Sequence, residues 1–371
     1  MNKTAFQIYG LRKTRYYGFI PPGSSYILGQ VNGSNYGYFY GYFTGYTETG
    51  VVTTKKNLIK LNQNLTIDNS FNIGTGFNEI LYTGSSILEQ PDGKLIVTGT
   101  FTTYNDVSVL RAVRLNTDGT NDFTIGSFYG GVNYMQVPAL QSDGKIIFTG
   151  SFSHYVKGVV DSSIKGIARL NANGDFDNTF VTGSGFNQPT MSAVSNSDFS
   201  MIITGYFNQY KGVSCSSGII KLDQYGNKDT SFVSGSGFNI FYLNPNYAIK
   251  IPGESSFYVS GCFTSYNGTA ANRIIKIQQD GSVDTSFNSG TGFNARIYNT
   301  QIIWGNKLFV PFGDFTEYNE TPANNTIILN ADGSVLWSSS TYYDSPIVIG
   351  NTLFGQDAVT GHLIALYNYI P

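Results

Sequence analysis

Gln90-Pro91-Asp92-Gly93-Lys94-Leu95-Ile96-Val97-Thr98-Gly99-Thr100-Phe101 opens on Pro-Asp-Gly and runs through a short apolar stretch to a glycine and an aromatic ring. Pro and Gly set backbone angles that reverse a chain, and the β-branched run after them is extended, so the segment reads as a tight turn feeding a strand. Its end recurs. Gly-x-Phe-x-x-Tyr stands at Gly41/Phe43/Tyr46, Gly99/Phe101/Tyr104, Gly150/Phe152/Tyr155, Gly205/Phe207/Tyr210, Gly261/Phe263/Tyr266 and Gly313/Phe315/Tyr318, at intervals of 58, 51, 55, 56 and 52 residues. A second pattern interleaves with it, a Leu or Ile followed by Asp seven residues on and an apolar residue ten on: Leu61/Asp68/Phe71, Leu115/Asp122/Ile125, Leu170/Asp177/Phe180, Leu222/Asp229/Phe232 and Ile277/Asp284/Phe287. The sixth copy departs, with Leu336 where Asp is expected after Leu329. A third element, Gly-x-Gly-Phe, closes four copies at Phe77, Phe186, Phe238 and Phe293, and repeat two ends in Gly126-Ser127-Phe128 instead.

Each unit parses into four short antiparallel strands. In repeat two these are a weak strand around 83–88, the run from Lys94, the alternating stretch 110–115, and a segment through Asp122 to Ile125 after the Asn116-Thr117-Asp118-Gly119 turn. The turn returns at Asn173-Gly174, Asp280-Gly281 and Asp332-Gly333, with Tyr225-Gly226 in repeat four. Four-stranded units of this length, repeated without helical periodicity, predict an all-β, seven-bladed β-propeller as one domain over 1–371. Residues 1–20 are a closing strand or arm, 21–339 hold six repeats, and 340–371 form a partial last blade. Strand-like runs at Tyr343 to Ile349, Thr352 to Phe354 and His362 to Tyr369 would be completed by Ala5-Phe6-Gln7-Ile8-Tyr9, closing the ring and removing two sheet edges. Six blades with terminal extensions is the alternative.

The stretch Gln90 to Phe101 and the hairpin Ile277-Gln278-Gln279-Asp280-Gly281-Ser282-Val283-Asp284-Thr285-Ser286-Phe287 resemble the delta-60 repeat family, in which a "QPDGK-ILV-GG-F" strand alternates with a "LN-DGS-DTSF" hairpin. The resemblance covers 41 to about 339. It is weaker in the first copy, which lacks Pro-Asp-Gly, and in the last, which lacks Asp-Thr-Ser-Phe. It implies a propeller used for structure or binding in bacterial surface and bacteriophage proteins, and it transfers no catalytic residues.

Composition excludes several classes. Charged residues are 12% of the chain, against about 25% on average, while 41% are hydrophobic, enough for a sizeable core and too many for disorder. A formal net charge of −2 with no long charge run argues against nucleic acid or an anionic membrane surface as partner. No apolar stretch is long enough to span a membrane, and the N-terminus lacks the apolar core of an export signal. Cys215 and Cys262 are read as two free thiols.

Recurrence itself explains the Asp residues as hairpin devices that accept backbone N–H bonds, and the Phe and Tyr as packing between blades, with Gly allowing neighbouring sheets to approach. No EF-type calcium loop is present, because the run of oxygen ligands ending in Glu is missing. His154 and His362 are too few and too far apart for a histidine metal site, and they leave a Ser-His-Asp arrangement few possible members. Glu254, Asp314 and Glu317 are carboxylates that a fold could pair for glycoside hydrolysis, with nothing in the sequence preferring a pair. The irregular segments are the loop His154 to Lys165, Lys211 to Ser217 with Cys215, Arg296 to Asn299, and the basic aromatic N-terminus with Lys3, Arg12, Lys13 and Arg15 among Tyr9, Tyr16 and Tyr17. The last is read as a closing strand or an arm docking on a neighbouring protein.

No catalytic, cofactor or metal residue is assigned. Abundant Tyr, Asn, Gly, Ser and Thr with little charge suits surfaces that meet proteins and carbohydrates. The expectation is a non-enzymatic bacteriophage virion protein of the tail, baseplate or capsid surface, contacting other virion proteins and a host surface glycan or protein. A glycan-binding receptor module, a propeller-fold glycosidase or lyase, and a bacterial cell-surface location are the alternatives.

Overall fold

The computed structural model describes residues 18–20, 27–30, 36–48, 50–54, 56–81, 85–130, 135–136, 138–157, 159–161, 164–239, 247–250, 253–297, 302–304, 307–310, 313–323, 326–339, 343–349, 352–357 and 363–368. Every regular element among them is a β-strand. The N-terminal strand expected at 5–9 lies outside them. The chain divides into two compact units, Met1–Gly76 with Tyr343–Pro371, and Phe77–Tyr342.

The second unit carries repeats two to six. In repeat two the strands Ser86–Glu89, Leu95–Thr98 and Ala112–Leu115 form one antiparallel sheet with the middle strand in the centre. The central strand is wholly buried, as its unbroken apolar run requires. Repeats three, four and five repeat the arrangement with Ile146–Thr149, Met201–Gly205 and Phe257–Ser260 in the centre.

The expectation of four strands per repeat is corrected here. In repeats one to five the fourth segment shrinks to a single bridge: Leu61 with Ile67, Leu115 with Asn121, Leu170 with Phe176, Leu222 with Lys228 and Ile277 with Val283. Only repeat six completes it, with Val335–Ser339 along Thr326–Leu329. The cause is the Asp after the bridge. In repeat three the Asp177 carboxylate accepts the Thr179 N–H at 3.0 Å and its hydroxyl at 2.6 Å, while the Asp177 carbonyl accepts the Phe180 N–H. These bonds curl the chain out of the strand direction and drive Phe180 into the core. The same turn buries Phe71, Phe232 and Phe287.

In the first unit, Ile27–Gln30, Tyr36–Gly41 and Leu58–Asn62 make the sheet of repeat one. A smaller sheet joins Gly18–Ile20, Gly45–Glu48 and Val51–Thr54. The three C-terminal runs form an antiparallel sheet of Tyr343–Ile349, Thr352–Asp357 and Leu363–Asn368, whose first strand neighbours Ile27–Gln30.

Candidate functional site

The junctions between successive repeats present the side chains that repetition leaves variable, and a common frame holds them. The Phe that ends one repeat lies on the aromatic pair of the next: Phe186 is 4.4 Å from Phe207 and 4.6 Å from Tyr210 between ring centroids, and Phe293 is 4.7 Å from Phe315 and 4.6 Å from Tyr318. Each such contact adds about 0.5–1.5 kcal/mol beyond area burial. The expected aromatic packing between repeats is therefore present. The tyrosine hydroxyl then donates back to the turn of its own repeat, Tyr210 to the Gly226 carbonyl at 2.6 Å and Tyr266 to that of Gly281 at 2.7 Å. Burial pushes the Tyr155 phenol up to about 12 and that of Tyr210 higher still, so these hydroxyls remain donors.

A latch unread in the sequence follows the Phe of each Gly-x-Gly-Phe ending. Asn187 accepts the N–H groups of Asn208 and Gln209, Asn239 those of Thr264 and Ser265, and Asn294 those of Thr316 and Glu317. Asn78 does the same with Thr102 and Thr103. The Phe-Asn dipeptide after Gly-x-Gly was its signal.

The glycine roles need one correction. The Gly of Gly-x-Phe admits its own repeat, not a neighbouring sheet: a Cβ on Gly205 would lie 2.5 Å from the Pro189 carbonyl, and one on Gly313 would lie 2.2 Å from that of Arg296. Close approach across a junction belongs to the turn glycines. Gly174, at φ +84°, leaves 2.1 Å between a Cβ and the Thr124 carbonyl of the preceding repeat.

The Asp residues do accept backbone N–H bonds as expected, and each also holds a cation one residue before the Leu or Ile of the motif. The pairs are Lys60–Asp68, Arg114–Asp122, Arg169–Asp177, Lys221–Asp229 and Lys276–Asp284, with N–O separations of 3.0, 2.6, 2.8, 3.0 and 3.6 Å. Burial favours the neutral acid at Asp284, but the Ser256 and Ser286 hydroxyls, the Ser286 N–H and Lys276 outweigh it and hold the carboxyl at about 2. Arg114 also donates to the Ala172 carbonyl of the next repeat, and Lys221 to that of Gln279, so the ion pairs tie junctions as well as strands.

The residues singled out in the sequence are scattered. His154 begins the strand His154–Lys157, with Nδ1 at 2.7 Å from the Ser153 hydroxyl. His362 lies outside the described residues, as do Lys3, Tyr9, Arg12, Lys13, Arg15, Tyr16, Tyr17 and Asn299. The irregular segment after His154 forms a hairpin with Val159–Asp161. Cys215 and Cys262 form no disulfide, and burial pushes the Cys215 thiol up to about 11, away from nucleophilic use. Glu254 pairs with Lys276 at 2.8 Å and Asp314 with Arg296 at 3.5 Å. Glu317 lines a cleft of about 300 Å³ between repeats five and six. Among the described residues no group of three His, Cys, Asp or Glu side chains is placed to hold a metal ion.

Exposed apolar side chains mark the same junctions. Phe123, Val181, Tyr225 and Val233 are 67%, 58%, 54% and 66% exposed, at the joins of repeats two with three, three with four, and four with five. Val181 donates its N–H to the Tyr225 carbonyl, which makes that pair contiguous, and Val233 donates in the same way to Asp280 of the following turn.

No curated protein matches the chain. Among solved structures, a gluconolactonase of Xanthomonas campestris shares 14% identity at a TM-score of 0.39, covering 73% of this chain and 81% of its own. Chaetomium thermophilum Raptor shares 10% at 0.42, over 96% of this chain and 30% of its own. YCF48 bound to D1 peptide shares 12% at 0.36, over 97% and 98%. Residues 90–122, 141–180 and 258–287 match a family described as a domain of unknown function (DUF5122) beta-propeller. Each segment covers all or most of the central strand, the Gly-x-Phe-x-x-Tyr hairpin and the Asp of one repeat, so the unit repeated along this all-β chain is a β-propeller repeat.

Proposed function

We propose that the protein is a non-enzymatic structural or attachment component of a bacteriophage particle, in the tail, baseplate or capsid surface, where its repeats act as a rigid interaction scaffold. The observation that carries this reading is the series Phe123, Val181, Tyr225 and Val233, large apolar side chains exposed at successive junctions of a frame otherwise locked by aromatic clamps and amide latches. Exposed apolar groups rimmed by polar ones suit a protein partner. At corresponding positions other repeats carry polar residues, Thr230 and Thr285 for Phe123, Asp118 and Asp280 for Tyr225, and Asn288 for Val233, so folding does not demand the apolar ones. A low net charge adds a surface without strong steering fields. The resemblance to repeats of phage and bacterial surface proteins points to the particle.

Mass spectrometry and cryo-electron microscopy of purified particles test the reading. The chain in fixed stoichiometry supports it, and its absence from particles overturns it. The variant Phe123→Thr/Tyr225→Asp/Val233→Asn, built from the residues of sister repeats, should fold normally yet fail to incorporate; normal incorporation would remove the apolar series from the interface.

A further inference from the structure

We propose that the cleft between repeats five and six binds a neutral saccharide, with Arg273 donating to sugar hydroxyls and Glu317 and Glu320 accepting from them. The cleft, about 300 Å³, is lined by Asn272, Arg273, Thr291, Asn294, Glu317 and Glu320 among others. That volume lies at the lower end of small-molecule sites and suits one or two sugar rings.

Two other junctions, of repeats three with four and four with five, act as internal controls. Immediately before the third strand, repeats three and four carry Gly166 and Gly218 where repeat five has Arg273. Just before the tyrosine, repeats four and five carry Gln209 and Ser265 where repeat six has Glu317, and two residues after it Gly212 and Gly268 where repeat six has Glu320. Those glycines hold φ of 80°, 72°, 77° and 76°, and Arg273 and Glu320 adopt 70° and 60° at the same places. Repeat two also carries side chains at these two places, Arg111 at φ 67° and Asp106 at 61°, so the positions accept a side chain at a backbone cost that glycine spares. At the junction of repeats five and six three charged side chains thus line one cleft, where the junction of three with four has Gly166, Gln209 and Gly212 and that of four with five has Gly218, Ser265 and Gly268.

The charges define the ligand. Arg273 donates one N–H to the Phe293 carbonyl at 2.5 Å, which orients the guanidinium and leaves its other donors for a ligand. Among the described residues neither glutamate forms an ion pair with it. Both signs therefore face the same space. An anion would meet two carboxylates and a cation would meet the guanidinium, whereas a hydroxyl both donates and accepts and satisfies all three groups at once.

The test uses the full chain on an array of neutral and charged glycans, followed by calorimetric titration of the best neutral binder, with inorganic phosphate and spermidine as charged probes. The expected result is a neutral saccharide whose affinity falls about tenfold or more in Arg273→Gly, as loss of hydrogen bonds from a charged donor predicts. That variant restores the residue of repeats three and four and should melt no lower than the parent. Glu317→Ser/Glu320→Gly, exposed positions set to the residues of repeat five, should lose affinity in the same way and keeps the test open if the first variant misfolds. No neutral binder, tighter binding of either charged probe, or unchanged affinity in the variants would overturn the proposal. Presence or absence of the chain in particles leaves this outcome unaffected, so the two readings fail separately.

Discussion

Repeat five sets Lys276 opposite Asp284, and its fourth segment ends after one bridge; repeat six sets Ile328 and Leu336 at the same two places, and there the fourth strand runs from Val335 to Ser339. The ion pair and the short strand are therefore one device. Asp turns the chain by accepting two bonds from the residue two positions on, and its second oxygen needs a cation because a buried carboxylate without one is costly. When both charges are absent, no turn competes with the ladder and the strand continues, leaving Val335 and Leu336 partly exposed.

The largest effect is expected in repeat three, where the Arg169 and Asp177 side chains are only 3% and 4% exposed. Asp177→Leu alone should destabilise by about 3–5 kcal/mol in urea titration, because Arg169 is left buried and uncompensated. Arg169→Ile/Asp177→Leu, which copies repeat six, should recover most of that loss and extend amide protection through the fourth segment. If the double variant is no better than the single one, the pairing is not what couples charge to strand length.

Acid should separate the repeats next. The carboxyls of Asp68, Asp122, Asp177, Asp229 and Asp284 all lie below their ordinary value of 3.8, with Asp284 at about 2. A carboxyl lowered in the folded state contributes stability that is present above its unfolded value and lost as pH falls through the folded one. Stability should therefore hold above about pH 4 and fall between about 4 and 2. Hydrogen exchange at pH 3 should show repeats two to five loosening before 326–339, and uniform loosening would count against the assignment.

A smaller effect is expected from Tyr210→Phe, which removes the hydroxyl bond to Gly226 while keeping the ring against Phe186. A loss of about 1 kcal/mol in the melting analysis is predicted. The smallest is Ile328→Lys/Leu336→Asp in repeat six, which should shorten Val335–Ser339 toward a single bridge with little change in overall stability, read by amide exchange across those five residues.

Much of the fold was legible because its instructions are local. Pro91-Asp92-Gly93, the Asp-Gly turns and the runs such as Ile146-Ile147-Phe148-Thr149 specify reversals and buried strands through backbone angles and short apolar, β-branched runs within a few residues. The aromatic clamp was legible too, since rings repeated at a fixed interval serve packing. Less visible were the cations, because Arg169 and Asp177 are separated along the chain and meet only when the strand pairs, and the Asn latch, whose partners sit in the following repeat. Glu317 was noted as a carboxylate without a partner in view. Its cleft depends on Arg273 from the repeat before, which no spacing within one motif reveals.

The amino-acid sequence alone thus specified an all-β chain of repeated turn-and-strand units, because turn chemistry and the extended preference of short apolar runs act over short distances. The tertiary structure decided how many strands each unit keeps, which charges pair and which junction opens into a cleft, because those outcomes depend on register and on side chains brought together from different repeats.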